Sequence, residues 1–178
     1  RQKHAMEYDD EKMNYVLNPK LGIHGTVIDG YQTAARIAGM IGAVPCNQSL
    51  THTVIENATE LLEELTPVQM TKAETMGCLV LSRNTRKQIW IDNAINTMTN
   101  PTEDKDKGWK KIRRVKTRFE FLRRVNTIVD DLVGRVDNDM NGRATVMSQM
   151  QGVGDSMIGE GKLMACTVSE SSGYKADG

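Results

Sequence analysis

Apolar positions along this chain recur at helical spacing in some stretches and gather into short β-branched runs in others. From Asp29 the order Gly30-Tyr31-Gln32-Thr33-Ala34-Ala35-Arg36-Ile37-Ala38-Gly39-Met40-Ile41-Gly42-Ala43 puts Ala34, Ile37, Ala38 and Ile41 three and four residues apart. That spacing predicts a helix of small residues under an Asp29 cap, suited to close packing on a sheet. Pro45 to Thr53 has no period and reads as a surface loop; Val54, Ile55, Ala58, Leu61, Leu62 and Leu65 then lead to a boundary near Leu65. Thr66-Pro67 sets a capping residue before a first-position proline and predicts a helix through about Thr75, ended by Gly77. Upstream, Met13 to Pro19 follows the acidic Glu7, Asp9, Asp10 and Glu11 and reads as a short strand closed by Asn18-Pro19.

Cys78-Leu79-Val80-Leu81 and Lys87-Gln88-Ile89-Trp90-Ile91, separated by the polar Ser82 to Arg86, predict a hairpin whose second strand runs on through Asp92, Asn93, Ala94 and Ile95. Beyond the turn-rich Asn100-Pro101-Thr102, the positions Ile112, Val115, Phe119, Leu122, Val129, Val133 and Val136, with Asn126 in the same register, predict a long helix with one apolar seam. Asp137 to Gly142 then reads as a turn. A final helix over about Arg143 to Met164 follows from Val146, Met150, Val153, Met157, Gly161 and Met164, although Gly152, Gly154, Gly159 and Gly161 weaken it. Ala165 to Val168 reads as one more short strand, and the polar Ser169 to Gly178 as a mobile end.

Charge changes the picture more than composition does. The 178 residues carry a formal net charge of +0, yet Lys105, Lys107, Lys110, Lys111, Arg113, Arg114, Lys116, Arg118, Arg123 and Arg124 face only Asp106 and Glu120 between Lys105 and Arg124, a local net of +8. Such segregation predicts a face that attracts an acidic partner, against the alternative of a solvated surface. A nucleic-acid-binding module using the basic helix 109–124 is the competing function, since phosphates reward clustered cations; no recognition motif or exposed aromatic pair accompanies it, and Trp109 and Phe119 are expected near the core. With 39% apolar and 4% aromatic residues, Leu, Ile, Val and Met are expected to fill the core. Cys46, Cys78 and Cys166 lack metal or disulfide spacing, which points to a reducing compartment. No export signal and no membrane-length apolar run is visible, and the start at Arg1-Gln2-Lys3 suggests that sequence precedes it.

No catalytic constellation emerges, so the chain is expected not to be an enzyme and to need neither cofactor nor metal. Asp137, Asp139, Asn141 and Gly142 match the front of a calcium loop, but the twelfth position is Ser148 and Arg143 adds a cation, so an interhelical turn is the better reading. His4, His24 and His52 are dispersed. Ser49 and His52 lack a nucleophile elbow, and no phosphate-binding glycine loop occurs.

Longer ordered stretches carry a resemblance. Ala34-Ala35-Arg36-Ile37-Ala38-Gly39-Met40-Ile41-Gly42 with Ser49-Leu50-Thr51, Met76-Gly77-Cys78-Leu79-Val80-Leu81-Ser82-Arg83-Asn84-Thr85-Arg86, Trp90-Ile91-Asp92-Asn93-Ala94-Ile95-Asn96-Thr97, Asp104 to Arg114 and Asp137-Asn138-Asp139 resemble the tail sheath protein of contractile bacteriophage tails, including defective prophages and tail-like bacteriocins of Gram-positive bacteria. The resemblance implies an α+β fold: a small hairpin sheet packed with several helices over 66–178, a tube-facing C-terminal sheath domain. Preceding it, 1–65 is implied to be the end of an α/β subtilisin-like sheath domain without protease residues. Implied partners are other sheath subunits in a helical polymer, the inner tail tube protein, the baseplate and the tail terminator, in a virion tail or tail-like particle assembled in the bacterial cytoplasm.

By this analogy Lys107, Lys110, Lys111, Arg113, Arg114, Lys116 and Arg118 dock on an acidic tube. Leu79, Val80, Leu81, Ile89, Trp90 and Ile91 receive a strand from a neighbouring subunit, a contact whose main-chain bonds hold while subunit bodies rotate. Relative to the family pattern the sequence starts partway through the larger domain and stops before a terminal arm, so a mostly monomeric fragment is expected.

Overall fold

The computed structural model describes residues 2–170, with side chains from residue 5 onward. The elements in order are α1 (Gln2–Tyr8), β1 (Tyr15–Val16), β2 (Leu21–Ile23), β3 (Thr26–Ile28), α2 (Gly30–Ala43), β4 (Ala58–Leu61), α3 (Pro67–Thr75), β5 (Cys78–Leu79), β6 (Leu81–Arg83), β7 (Ile89–Ile91), a 3-10 turn (Lys107–Lys110), α4 (Ile112–Leu132) and α5 (Met140–Gly159). Five α-helices and three small sheets among the described residues make an α+β fold, as expected. Two compact units divide it, Arg1–Lys116 and Thr117–Gly178.

In the first unit the predicted caps form as read. The Asp29 N–H donates to Gln32 Oε1 at 2.9 Å at the head of α2, and Thr66 and Gln69 exchange hydrogen bonds ahead of Pro67 at the head of α3, satisfying otherwise orphaned donors. Gly77 ends α3 at φ +78°, and a Cβ there would lie 2.8 Å from the Thr97 carbonyl oxygen, so both the turn and the close approach require glycine. β1 pairs in parallel with β5, β2 lies between antiparallel β3 and β4, and β6 pairs with β7 through Leu81–Ile91, Ser82–Trp90 and Arg83–Ile89. The predicted hairpin therefore exists, but its first apolar run is split: Cys78 and Leu79 join β1, while Leu81 begins the strand that meets β7. β7 stops at Ile91, short of the expected Ile95, because Asp92 turns its N–H to the Val80 carbonyl and Ala94 and Ile95 enter the core instead.

Leu21, Ile37, Ile55, Leu61, Leu79, Leu81, Ile89, Ile91 and Ile112 form one core, drawn from both sides of Leu65. Each such side chain contributes about 2 kcal/mol by burial. The aperiodic 45–53 stretch is not merely a surface loop, since Cys46 and Leu50 are buried. Ala58–Leu61 becomes a strand, and α1, not anticipated, buries Ala5 against Leu17, Ala73, Cys78 and Val80.

The second unit is built from the greater part of α4 and from α5, around Val125, Val153 and Met157 with Phe121, Ile128 and Val129 beside them. Here the predicted seam is corrected. Ile112 and Val115 are buried, but Phe119 and Leu122 are 42% and 36% exposed, and Val133 is 71% exposed. Phe121 and Val125 take over the packing, and a step of two residues turns roughly 200° around a helix, so the buried face changes along α4. α5 begins earlier than expected, at Met140, where Asp139 accepts from the Gly142 N–H at 2.6 Å. It ends earlier too. Met164 is 99% exposed, and Leu163 returns its N–H to the Met157 carbonyl. No strand forms at Ala165 to Val168, because the Gln151 amide takes the Cys166 carbonyl and the Val168 N–H at 3.1 and 3.0 Å. Beyond Glu170, the end expected to be mobile lies outside the described residues. No described helix is long and apolar enough to cross a membrane.

Candidate functional site

The basic stretch begins on a tightly held backbone. Asp106 accepts from the Gly108 N–H at 2.9 Å and starts the 3-10 turn. Asn96, fully buried, donates its amide to the Trp109 and Glu11 carbonyls at 2.7 and 3.0 Å, while its N–H reaches the Lys110 carbonyl at 2.9 Å. Ile95 bridges Lys111, and the Ile112 N–H reaches the Ala94 carbonyl. Gly108 leaves room for the Arg114 guanidinium, which a Cβ would strike, and Arg114 crosses it to pair with Asp106 at 2.9 Å. The presentation of the cations is thus fixed by polar groups that hydropathy patterning passes over.

Those cations fall into two sets. Lys110 Nζ donates to the Glu74 and Thr75 carbonyls at 2.5 and 3.3 Å, at the C-terminal end of α3. The Lys116 ammonium donates to the carbonyls of Ile41 and Val44, at the C-terminal end of α2. Both sit where a helix leaves unpaired carbonyls and the negative end of its dipole, a placement worth about 1 kcal/mol each. Burial pushes both ammonium groups below the usual lysine range. Lys105 pairs with Glu11 at 2.9 Å and, chiefly through that hydrogen bond, holds the Glu11 carboxyl below its ordinary value.

Lys107, Lys111, Arg113, Arg114 and Arg118 form the outward set, all exposed. Lys111 reaches Asn93 Oδ1 at 2.7 Å and Arg113 the Asn47 carbonyl at 3.5 Å. In the second unit Arg124 bonds Glu160 at 2.6 Å and Glu120 at 2.9 Å, and Arg123 shares Glu120 at 2.8 Å. Arg124 and Lys162 hold the Glu160 carboxyl far below its usual value.

The hairpin residues are placed differently. Leu79, Val80, Leu81, Ile89 and Ile91 are fully buried, and half-buried Trp90 stacks on His52 with ring centroids 4.2 Å apart. Their main-chain groups are also engaged. Beyond its pairing with β6, β7 bonds residues 52–55: His52 N–H to the Ile91 carbonyl at 2.7 Å, Ile91 N–H to the Thr53 carbonyl at 3.1 Å, and Ile55 N–H to the Ile89 carbonyl at 2.8 Å. Asn18, 1% exposed, covers the other flank, donating to the Leu81 carbonyl at 2.7 Å and accepting from the Leu81 N–H at 3.0 Å. A strand arriving on these residues has to displace 52–55 or Asn18, whereas β3 is a terminal strand of its sheet with Val27 54% exposed. The partners of Asn18, Asn96 and residues 52–55 are distant in the chain, so no local pattern marks these bonds, and Asn18 before Pro19 signals only a turn.

Among the described residues no group of three or more His, Cys, Asp or Glu side chains is placed to hold a metal ion. The sequence matches no protein-family model and no curated protein. Solved structures are more informative. A sheath tail protein from Listeria innocua superposes with a TM-score of 0.79 at 20% identity, over 86% of this chain and 37% of that one. A sheath tail protein from Desulfitobacterium hafniense gives 0.76 at 23% identity, over 87% and 36%. A chain of the anti-feeding prophage baseplate gives 0.66 at 10% identity, over 90% and 49%. The chain thus spans 37% and 36% of the two sheath tail proteins, and over that span it has their fold, which is what the resemblance in its sequence implied.

Proposed function

We propose that this chain is a segment of a tail sheath subunit, a structural protein that polymerises around an inner tube in a phage-type contractile tail and drives the tube through a target envelope as the sheath contracts. The single observation that carries this reading is the shared fold with two sheath tail proteins across more than four fifths of the chain. The remainder of such a subunit, its neighbours in the polymer, the baseplate and the terminator belong to the same proposal.

Within it, the outward set Lys107, Lys111, Arg113, Arg114 and Arg118 is the surface that meets an acidic tube. Wet charge pairs contribute about 0–1 kcal/mol each, so any one contact releases easily while many repeated copies guide assembly. Lys110 and Lys116 serve the subunit instead, tying the 3-10 turn and the start of α4, which carry the outward set, to the C-terminal ends of α3 and α2.

The test is co-sedimentation of the purified chain with tubes assembled from the tube protein of the same particle, at low and high salt. Binding that disappears at high salt, and in a variant carrying Lys107→Glu, Lys111→Glu, Arg113→Glu and Arg114→Glu, supports the assignment. Binding indifferent to both overturns the docking role. Retention of duplex DNA by the unaltered chain, lost in the same variant, favours the nucleic-acid module instead.

A further inference from the structure

Among the asparagines of this chain, only Asn141 is followed by glycine. Such a pair deamidates most readily, because the residue after the asparagine has no side chain to shield the main-chain nitrogen that attacks the amide carbon. The pair lies in the first turn of α5, which Asp139 caps, with Asn141 exposed and Gly142 buried. The glycine cannot be exchanged. A Cβ on Gly142 would lie 1.9 Å from the Asp137 carbonyl oxygen and 2.8 Å from Val136 Cγ1, so the close approach of that main chain requires a residue without one. The labile pair is therefore built into the turn that precedes α5.

The peptide group joining the two residues is held at both ends. The Gly142 N–H donates to Asp139 Oδ1 at 2.6 Å, and the Asn141 carbonyl accepts from Thr145 Oγ1 at 2.9 Å. The frame around it is fixed too: the Arg143 N–H donates to the Asp139 carbonyl at 3.0 Å, and the Arg143 guanidinium pairs with Glu170 at 3.1 Å. Deamidation needs that peptide group to rotate until its nitrogen meets the side-chain carbon, and it needs the nitrogen to lose its proton. The Asp139 carboxylate opposes both. It anchors the N–H through a charge-assisted hydrogen bond, and its own negative charge disfavours a second one on the nitrogen.

We propose that Asn141 is a latent deamidation site, kept intact by the Asp139 cap and converted when the first turn of α5 opens. The Gly142 nitrogen, having given its proton to hydroxide, forms a bond to Asn141 Cγ. The bond from Cγ to the side-chain nitrogen breaks, and ammonia leaves with a proton taken from water, which restores the hydroxide. Water then opens the cyclic imide at either carbonyl, giving aspartate or isoaspartate at position 141. No electrons are transferred, and water is the only co-reactant. The two products act differently on the fold. An aspartate places a negative charge in the first turn of α5, where the helix dipole favours it. An isoaspartate adds a carbon to the main chain between Asp139 and Gly142, so the register of the cap is lost. Asp137, Asn138, Gly142 and Arg143 also line an apolar cleft of this unit, so the second product disturbs its rim. This inference is independent of the sheath reading, since it concerns the second unit alone.

The experiment is peptide mapping by mass spectrometry of the full chain aged in mildly alkaline buffer, with fragmentation that separates aspartate from isoaspartate. The folded chain, the same chain in urea and Asp139→Ala are compared, and amide hydrogen exchange over α5 checks that the variant is folded. In urea Asn141 is expected to convert ahead of every other asparagine, and in the folded chain to stay intact over the same time. Asp139→Ala should convert about tenfold faster than the unaltered folded chain, the factor that follows from losing one hydrogen bond to a charged group. A folded chain that loses Asn141 as fast as the chain in urea overturns the proposal, as does another asparagine converting first in urea or Asp139→Ala ageing at the unaltered rate. Should Asp139→Ala leave α5 unfolded, Asp139→Asn, which keeps a cap acceptor without its charge, takes its place: faster conversion of Asn141 supports the proposal and an unaltered rate overturns it.

Discussion

The first unit is tied together by residues far apart in the chain, and the second by two helices that follow one another. In the first, the buried Asn18 amide grips Leu81 across 63 positions, and Asp9 grips Asn100 across 91. In the second, α5 packs against α4 around Val125, Val153 and Met157. Their surfaces differ in kind as well. Both leave large apolar side chains exposed, Tyr31 and Val68 in the first and Phe119, Leu122, Val133 and Met140 in the second, but two lysines of the first unit are turned inward to close helices, and the second keeps an apolar cleft of about 410 Å³ lined by Val129, Leu132, Val146, Met147, Met150 and Val168. A cationic stretch is thus partly scaffold, and an apolar stripe is partly surface. Neither could be assigned from residue type alone.

The widest separation between the units is expected from their cores. Leu81→Ala removes a fully buried side chain shared by the main core and β6, and should cost about 4 kcal/mol. Trp90 and Trp109 both lie in the first unit, so urea unfolding followed by tryptophan fluorescence reads this loss directly. Met157→Ala should cost about 2 kcal/mol in the second unit, visible as lost amide exchange protection over 121–163 while the fluorescence transition stays in place. A fluorescence midpoint that moves with Met157→Ala would show that the units unfold as one, and the contrast would fail.

Smaller changes sharpen the polar side. Asp9 accepts from the Thr99 N–H and hydroxyl and from the Asn100 N–H and amide. Burial works against its charge, yet those bonds hold the carboxyl below its usual value. Its stabilisation is therefore present above the ordinary aspartate pKa and lost as pH falls through the lowered folded value. Asp9→Asn should cost about 1–2 kcal/mol at neutral pH and flatten the acid limb of a stability profile. Lys116→Gln should cost about 1 kcal/mol by uncapping α2, measurable by thermal unfolding. Arg113→Gln, at an exposed position, should stay within about 0.5 kcal/mol. Equal costs for the last two would erase the distinction between inward and outward cations.

What was legible in the sequence was local. The caps at Asp29 and Thr66, the end of α3 at Gly77 and the β6–β7 turn all depend on residues within a few positions of one another, and each was read correctly. The seam of α4 was legible for Ile112, Val115 and Val129, but not for Phe119, Leu122 and Val133. A period states which residues share a face, but the choice of face belongs to the neighbour, and from Thr117 onward that neighbour is α5. The basic stretch was visible as charge, while the division of its members required the distant carbonyls of Ile41, Val44, Glu74 and Thr75. Asn96 falls outside every predicted element, and nothing in its neighbourhood signals that it is fully buried.

The two flanks of β7 and the amide of Asn18 have a consequence for behaviour in a crowd. Cys78 to Leu81 and Ile89 to Ile91 combine β-branched and aliphatic side chains without charge or proline, the composition from which cross-β fibrils nucleate. Here their peptide groups are already bonded within one molecule, which leaves no template for amyloid-like stacking when many copies lie side by side. Fibrillisation from this segment has to wait for residues 52–55 to peel away, so its onset should track local unfolding rather than concentration.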